Sequence, residues 1–308
     1  VTRHHALAGI PLVLGGNVFG WTADQDTSFA ILDAFYENGG RMVDTAQGYS
    51  SWVPGHAGGE SETVIGKWMA SRGVRGDMRV ATKTNMEGSP GGLSPERVAK
   101  ELEKSLDRLQ TDYVDLYYAH RDEQLTPQSE VADGFDALVR SGKVREIGAS
   151  NYDAGRLSAI LDIADERGLT PFTVLQNEYN LVGRDQYGAE LQKLCADRGV
   201  AMLPFFGLAA GYLTGKYRTE ADFAQSQRGE GVRRYAEKGI RVLPALDAVA
   251  EETGATLPAI ALAWLRYQPA IPAPIASART VRQLDPLPES TALQLSEHQL
   301  QLLTQAGT

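Results

Sequence analysis

The stretch Val114-Asp115-Leu116-Tyr117-Tyr118-Ala119-His120 is a β-prone, largely apolar run that stops on a histidine, and four other segments repeat the pattern. Arg41-Met42-Val43-Asp44-Thr45, Arg79-Val80-Ala81-Thr82-Lys83, Glu146-Ile147-Gly148-Ala149-Ser150-Asn151 and Thr173-Val174-Leu175-Gln176-Asn177 each reach a polar stop in the same way. The stops Asp44, Lys83, His120, Asn151 and Gln176 follow one another at intervals of roughly one helix plus one strand. Near-continuous apolar strands separated by helices predict a parallel sheet covered on both sides. In an α/β fold of the (β/α)8 TIM-barrel type every strand ends at the same face, so the five stops are expected to meet in one active site there.

Working outward, the spacing predicts a strand near Leu12 to Leu14, then helices over 26–38 and 61–71 on either side of the Asp44 strand. Ser94-Pro95-Glu96 supplies an N-cap and a proline at the first helical position, with Val98, Leu102, Leu106 and Leu109 on one stripe behind it. Gly142 suits a left-handed close to the helix over 128–141, and Asp153 caps the next. Strand seven is expected over 201–205 and strand eight over 271–276, with a helical pair over 242–267 between them and a last, external helix over 296–306. Residues 207–238 break the rhythm; with Thr219, Glu220, Ser226, Gly229 and Gly231 and few apolar positions they read as a mobile lid over the barrel mouth.

The 308 residues are read as one domain, since barrels of this kind use about 250. A formal charge of −9 argues against nucleic acid or an anionic membrane surface as partner, and any bound anion needs cations placed locally. The single cysteine, Cys195, excludes an internal disulfide and sits with Leu191 and Leu194 on an apolar helix face. No run reaches the ~18 apolar residues of a membrane span, and the cytoplasm is the expected compartment. His4 and His5 are assigned to no site.

Tyr49, in the loop after the Asp44 strand, joins Lys83 and His120 in a set suited to proton donation. A phenol of pKa about 10 donates poorly at neutral pH, and an adjacent ammonium is expected to lower that value. Asp44 would keep Lys83 charged and oriented, while His120 would hydrogen-bond a carbonyl oxygen or relay a proton. Taken singly, the aspartate reads as a cap, the lysine as a solvent-reaching side chain and the tyrosine as one of 12. Placed around one cavity, the four read as a functional set.

With these residues the chain resembles the aldo-keto reductase family, whose catalytic Asp, Tyr, Lys and His fall on Asp44, Tyr49, Lys83 and His120. Phe19-Gly20, Gly59-Glu60-Ser61-Glu62, Gly148-Ala149-Ser150-Asn151, Gln176 and Leu213-Thr214-Gly215-Lys216-Tyr217 extend the resemblance over nearly the whole chain. It implies reversible reduction of an aldehyde or ketone by hydride from a nicotinamide dinucleotide. It also assigns Ser150, Asn151 and Gln176 to the nicotinamide carboxamide, Phe205 to its ring face, Ser277 and Arg279 to an adenosine 2′-phosphate and Gln283 to adenine, so NADPH (NADP+) is the expected cofactor. No G-x-G-x-x-G follows the first strand, which argues against a Rossmann site.

The small-residue run Gly207-Leu208-Ala209-Ala210-Gly211, with Lys216 in the same loop, would let backbone amides approach a pyrophosphate. Two departures from the family pattern stand at the adenine end: Phe206-Gly207 where Ser-Pro is common, and Pro286-Leu287 where an acidic residue precedes Asn. Trp21, Trp52, Pro54 and His56 are expected at the substrate rim, and their aromatic walls favour a flat or bulky small-molecule carbonyl or alcohol.

Three other readings compete. A nucleotide-binding, redox-sensing regulatory subunit would retain cofactor with little turnover. Lys83 as a Schiff-base nucleophile is opposed by Asp44, which keeps the amine protonated. A metal site is disfavoured by only five histidines and no His-x-His.

Overall fold

The computed structural model describes residues 6–224 and 229–308. His4, His5 and residues 225–228 of the expected lid lie outside them. Eight strands among the described residues, β1 Val13–Gly15, β2 Met42–Asp44, β3 Arg79–Thr84, β4 Val114–Ala119, β5 Val144–Ser150, β6 Val174–Gln176, β7 Ala201–Met202 and β8 Ile275–Ala276, form one parallel sheet. The order β7-β6-β5-β4-β3-β2-β1-β8 leaves β7 and β8 at the two ends. Two hydrogen bonds draw those ends together: Met202 N–H donates to the Ala270 carbonyl at 2.7 Å and Ile275 N–H to the Pro204 carbonyl at 3.0 Å. The sheet curls into the (β/α)8 barrel.

The first six helices, α1 Gln25–Glu37, α2 Glu60–Arg72, α3 Pro95–Leu109, α4 Gln128–Arg140, α5 Ala154–Arg167 and α6 Ala189–Arg198, alternate with the strands. Four more, α7 Glu220–Phe223, α8 Gly229–Val232, α9 Ala236–Thr253 and α10 Leu257–Arg266, lie between β7 and β8, and α11 Pro286–Ala292 and α12 Glu297–Ala306 follow. Asp153 caps α5 by accepting from the Arg156 N–H, and Gly142 takes φ 79° just past α4, where a side chain would be strained. Ser94 has the extended backbone of a cap but no capping bond, so the start of α3 rests on Pro95.

The alternation of the strands sorts their side chains into two cores. Outward residues such as Val43, Val80, Tyr117, Ile147 and Leu175 pack against the helices. Met42, Ala81, Leu116, Tyr118 and Val174 fill the barrel interior with Val13, Ala201 and Ile275, and Ala6, Leu7 and Ile10 join them. Two residues beyond Met42, Ala81, Tyr118 and Val174, on the same inward side, stand Asp44, Lys83, His120 and Gln176. Packing inside the barrel therefore places the polar stops around one mouth.

β7 and β8 are shorter than the spacing predicts. On the β6 side the N–H groups of Leu203 and Phe205 still donate to the Leu175 and Asn177 carbonyls at 2.8 and 3.1 Å, and Phe205 bridges Glu178, whereas Pro204 has no N–H to follow Met202 in donating toward β8. Pro272 and Pro274 limit β8 in the same way. Residues 207–224 and 229–238 are built around an aromatic stack, with Tyr217 5.2 Å from Phe223 and Tyr212 6.3 Å from Tyr217 and 6.5 Å from Tyr235. Cys195 is buried, and burial pushes its thiol up to about 12, so it is a packing residue rather than a nucleophile.

Candidate active site

Asp44 closes β2 and Lys83 stands in the adjacent β3, so the two inward side chains meet at the barrel mouth. Lys83 Nζ donates to Asp44 Oδ2 at 2.6 Å, to the Thr45 carbonyl at 2.8 Å and to the Tyr49 hydroxyl at 2.8 Å. The ammonium has three protons, and each finds an acceptor. Asp44 is held on its other oxygen by Gln176 Nε2 at 2.9 Å, while the Tyr49 hydroxyl lies 3.4 Å from Oδ2. Tyr49 reaches this position from a chain of tight turns, Tyr49 N–H to the Ala46 carbonyl and Ser51 N–H to the Gly48 carbonyl.

Burial, reinforced by the Asp44 carboxylate, holds the Tyr49 phenol well above its ordinary pKa. The lowering expected from Lys83 is not the net result, because a desolvated site beside a carboxylate penalises a phenolate more than one ammonium favours it. The consequence is a tyrosine that keeps its proton at rest. Burial also draws Lys83 down, opposed by Asp44. Burial, then the charges of Lys83 and Arg121, hold His120 well below the ordinary histidine range, so its imidazole is neutral. Its Nδ1 is buried without a protein partner, and its ring meets Tyr49 edge-on at 5.9 Å and 74°.

Ser150 and Asn151 arrive beside His120. Asn151 takes φ 58°, and its Nδ2 donates to the His120 carbonyl at 2.9 Å and to Ser150 Oγ at 3.1 Å. Phe205 is half-buried, edge-on to Phe206 at 5.2 Å. Gly207 packs on α10, where an added Cβ would come within 3.1 Å of Leu262 and 3.0 Å of Leu265. Beyond Leu208, three successive residues, Ala209, Ala210 and Gly211, have φ of 49°, 53° and 99°. Left-handed alanines cost roughly 1–2 kcal/mol each, and such strain gathers where a backbone must approach a ligand. Lys216 Nζ would lie 3.2 Å from a Cβ on Gly211, which puts a cation against this bend.

Across the rim, Ser277 Oγ donates to Asn17 Oδ1 at 2.7 Å, and Arg279 N–H donates to Gln283 Oε1 at 2.8 Å. Trp21 and Trp52 meet edge to face at 5.4 Å, and Trp52 lies 6.3 Å from the Tyr49 ring with 46% of its surface exposed. His56 is turned to the start of α2, its Nδ1 4.0 Å from Glu60 Oε1. Among the described residues no group of three or more His, Cys, Asp or Glu is placed to hold a metal, and no helix is long and apolar enough to cross a membrane.

The sequence profile described as the aldo/keto reductase family matches residues 11–307. The chain belongs to the aldo/keto reductase family. Its relatives include a norsolorinic acid reductase of Emericella nidulans, 34% identical over 96% of this chain and 78% of the relative. An NADP(+) aryl-alcohol dehydrogenase of Phanerodontia chrysosporium is 33% identical over 92% of this chain and 76% of its own. An uncharacterized oxidoreductase of Bacillus subtilis is 33% identical over 95% and 90%. This aldo/keto reductase is an oxidoreductase of small-molecule carbonyl or alcohol compounds.

Two groups at the barrel mouth escaped the sequence reading. Tyr118 lies under the mouth with Lys83 Nζ 5.9 Å from its ring centre, and Gly148 makes room for it, since a Cβ there would sit 2.7 Å from the ring. Its position two residues before His120, on the same strand face, was the available signal. The Thr45 carbonyl, third acceptor of Lys83, is a backbone group and leaves no mark in composition.

Proposed function

We propose that this aldo/keto reductase reduces an aldehyde or ketone to an alcohol with NADPH, reversibly, and that Tyr49 gives the proton to the carbonyl oxygen. The observation that carries the reading is the Lys83 ammonium donating at once to Asp44 and to the Tyr49 hydroxyl, at 2.6 and 2.8 Å. Lys83 donates to the phenolic oxygen, and the phenol's own proton rests on Asp44 Oδ2 through a long bond of 3.4 Å, weak enough for a carbonyl oxygen in the mouth to take it over. A nascent alkoxide is a stronger base than a phenolate, so even a phenol held above its ordinary range protonates it. The phenolate that forms is met by the ammonium 2.8 Å away, without reorganisation. Neutral His120 supplies a hydrogen bond to the same oxygen and a flat wall beside it.

The residues present fit the nicotinamide dinucleotide. The left-handed run at 209–211 with Lys216, and Ser277 with Arg279, form two polar, cationic stations that suit a pyrophosphate and a 2′-phosphate on a chain whose net charge is −9. Gln283, already bonded to the Arg279 backbone, faces the adenine end. When bound, the nicotinamide supplies a hydride to the carbonyl carbon. Ser150, Asn151 and Gln176 would orient its carboxamide, and Phe205, with Phe206, would cover its ring.

Residues 207–224 and 229–238 we read as a cover over that cofactor within a single domain. Glu178, beside Phe205, receives both Arg234 Nη2, at 3.1 Å, and the Tyr235 hydroxyl, at 2.5 Å, which ties the cover to the end of β6. The Trp21, Trp52 and Tyr49 edges favour a flat aryl carbonyl, in keeping with relatives named for aryl alcohols and for norsolorinic acid. Use of NADPH would suit work in the cytoplasm. Following nicotinamide absorbance with aromatic and aliphatic carbonyls tests the reading: turnover with NADPH on aryl aldehydes or ketones supports it. Stable cofactor binding with no turnover on any of them refutes it.

A further inference from the structure

The turn that carries Tyr49 is under strain. Ser50 is buried with φ 73°, a left-handed conformation that a serine keeps only when its surroundings impose it. Something must hold the turn, and Lys83 acts only on the hydroxyl end of Tyr49. At the other end, Gln47 extends the β2–β3 pairing by one more bond, its N–H donating to the Lys83 carbonyl at 3.1 Å. Its side chain leaves toward α3. There Gln47 Nε2 donates to Glu101 Oε2 at 2.5 Å, and Gln47 Oε1 accepts from Thr84 Oγ1 at 3.5 Å.

Glu101 is 4% exposed, and its other oxygen accepts from Lys104 at 2.8 Å with Arg97 Nε at 3.6 Å, so the acceptor is fixed before Gln47 reaches it. Gly48, between Gln47 and Tyr49, lies flat on Met86, whose Sδ would be 2.8 Å from a Cβ there. A cavity of about 200 Å³ borders the pair, lined by Gln47, Thr84, Asn85, Arg97 and Glu101. Water entering it would serve the same polar groups, so the direct amide–carboxylate bond is not needed for their solvation. What the direct bond adds is a fixed distance.

We propose that Gln47, clamped by Glu101 of α3, is a positioning residue for proton transfer: it sets where the Tyr49 hydroxyl stands over Lys83. The idea rests on Tyr49 being the proton donor. It assigns α3, which contributes no group to the reacting atoms, a part in the geometry of the reaction.

The test is an exchange of partners. Gln47→Glu sets two carboxylates against each other, and the double variant Gln47→Glu, Glu101→Gln remakes one amide–carboxylate bond with its direction reversed. We expect the single variant to lose about tenfold or more in kcat, the scale on which small misplacements of a reacting group are felt. Its NADPH Kd should stay near the parent's, the facing carboxylates should lower its unfolding midpoint while leaving it folded at the assay temperature, and the double variant should regain most of both losses. A second readout needs neither cofactor nor substrate: the ¹³Cζ resonance of Tyr49, identified by its loss in Tyr49→Phe. The parent phenol should resist ionisation beyond the ordinary tyrosine range; Gln47→Glu should shift the resonance, and the double variant, whose net charge equals the parent's, should return it. A single variant with parental kcat and an unmoved resonance overturns the proposal, as does a double variant that recovers nothing. If Tyr49→Phe keeps its turnover, the donor reading fails instead, and the resonance alone decides whether Gln47 places the ring.

Discussion

Lys83 Nζ stands 2.6 Å from Asp44 Oδ2 with side-chain exposures of 0% and 3%, a buried ion pair at the mouth of the barrel. Such a pair contributes little net stability when intact, because desolvation offsets attraction, but removing one partner strands the other charge and costs about 3–5 kcal/mol. Lys83→Met should lower the unfolding free energy by that amount in urea, and adding Asp44→Asn should restore part of it. A Lys83→Met protein as stable as the parent would show that Asp44 is solvated and the pair is not closed.

His120 gives a pH dependence of defined sign. Its folded pKa lies well below the ordinary 6.5, so below about pH 6.5 the unfolded chain binds a proton that the folded chain refuses. The stability this group contributes is complete above that pH and drains away as the pH falls toward the folded value. Urea midpoints measured from pH 7.5 down to 5 should fall less steeply in His120→Asn than in the parent. Parallel curves would place a charged or hydrated imidazole at this position.

Arg279 tests the cofactor's far end. Its backbone is fixed by Gln283 at 2.8 Å, which leaves the guanidinium as a preset charge for a phosphate. Arg279→Ala should raise the Kd for NADPH about tenfold or more, given about 1.5–3 kcal/mol for a charge-assisted bond, and leave that for NADH within about twofold. Fluorescence titration with both nucleotides checks it. An equal loss for the two would move the 2′-phosphate elsewhere.

Much of this site is written in the chain locally. Met42 and Asp44, Ala81 and Lys83, Tyr118 and His120, Val174 and Gln176 are each two residues apart, so the period of a strand that buries the first of each pair also turns the second into the mouth. What depends on distant partners is not written there. Gln47 and Glu101 are 54 positions apart on different elements, and only the packed barrel joins them. The direction of the Tyr49 shift depends on how completely the phenol is dried, a property of the assembled mouth rather than of a neighbouring lysine. Tyr212, Tyr217, Phe223 and Tyr235 follow neither a helical nor a strand period, so their stack left 207–238 looking like an apolar-poor loop. Pro204 was visible, and its missing N–H removes a donor on the side of β7 that faces β8, where Met202 donates to Ala270.

On the proposed mechanism Lys83 and Asp44 hold a protonated Tyr49 ready for the carbonyl oxygen, and Tyr49→Phe removes that proton alone. The decisive measurement is kcat for NADPH-dependent reduction of an aryl aldehyde by this variant, with its NADPH Kd taken on the same preparation. The expected fall in kcat is about 10²–10⁴-fold, the usual worth of a placed general acid, with the Kd unchanged. Turnover at the parent rate with normal cofactor binding would contradict it.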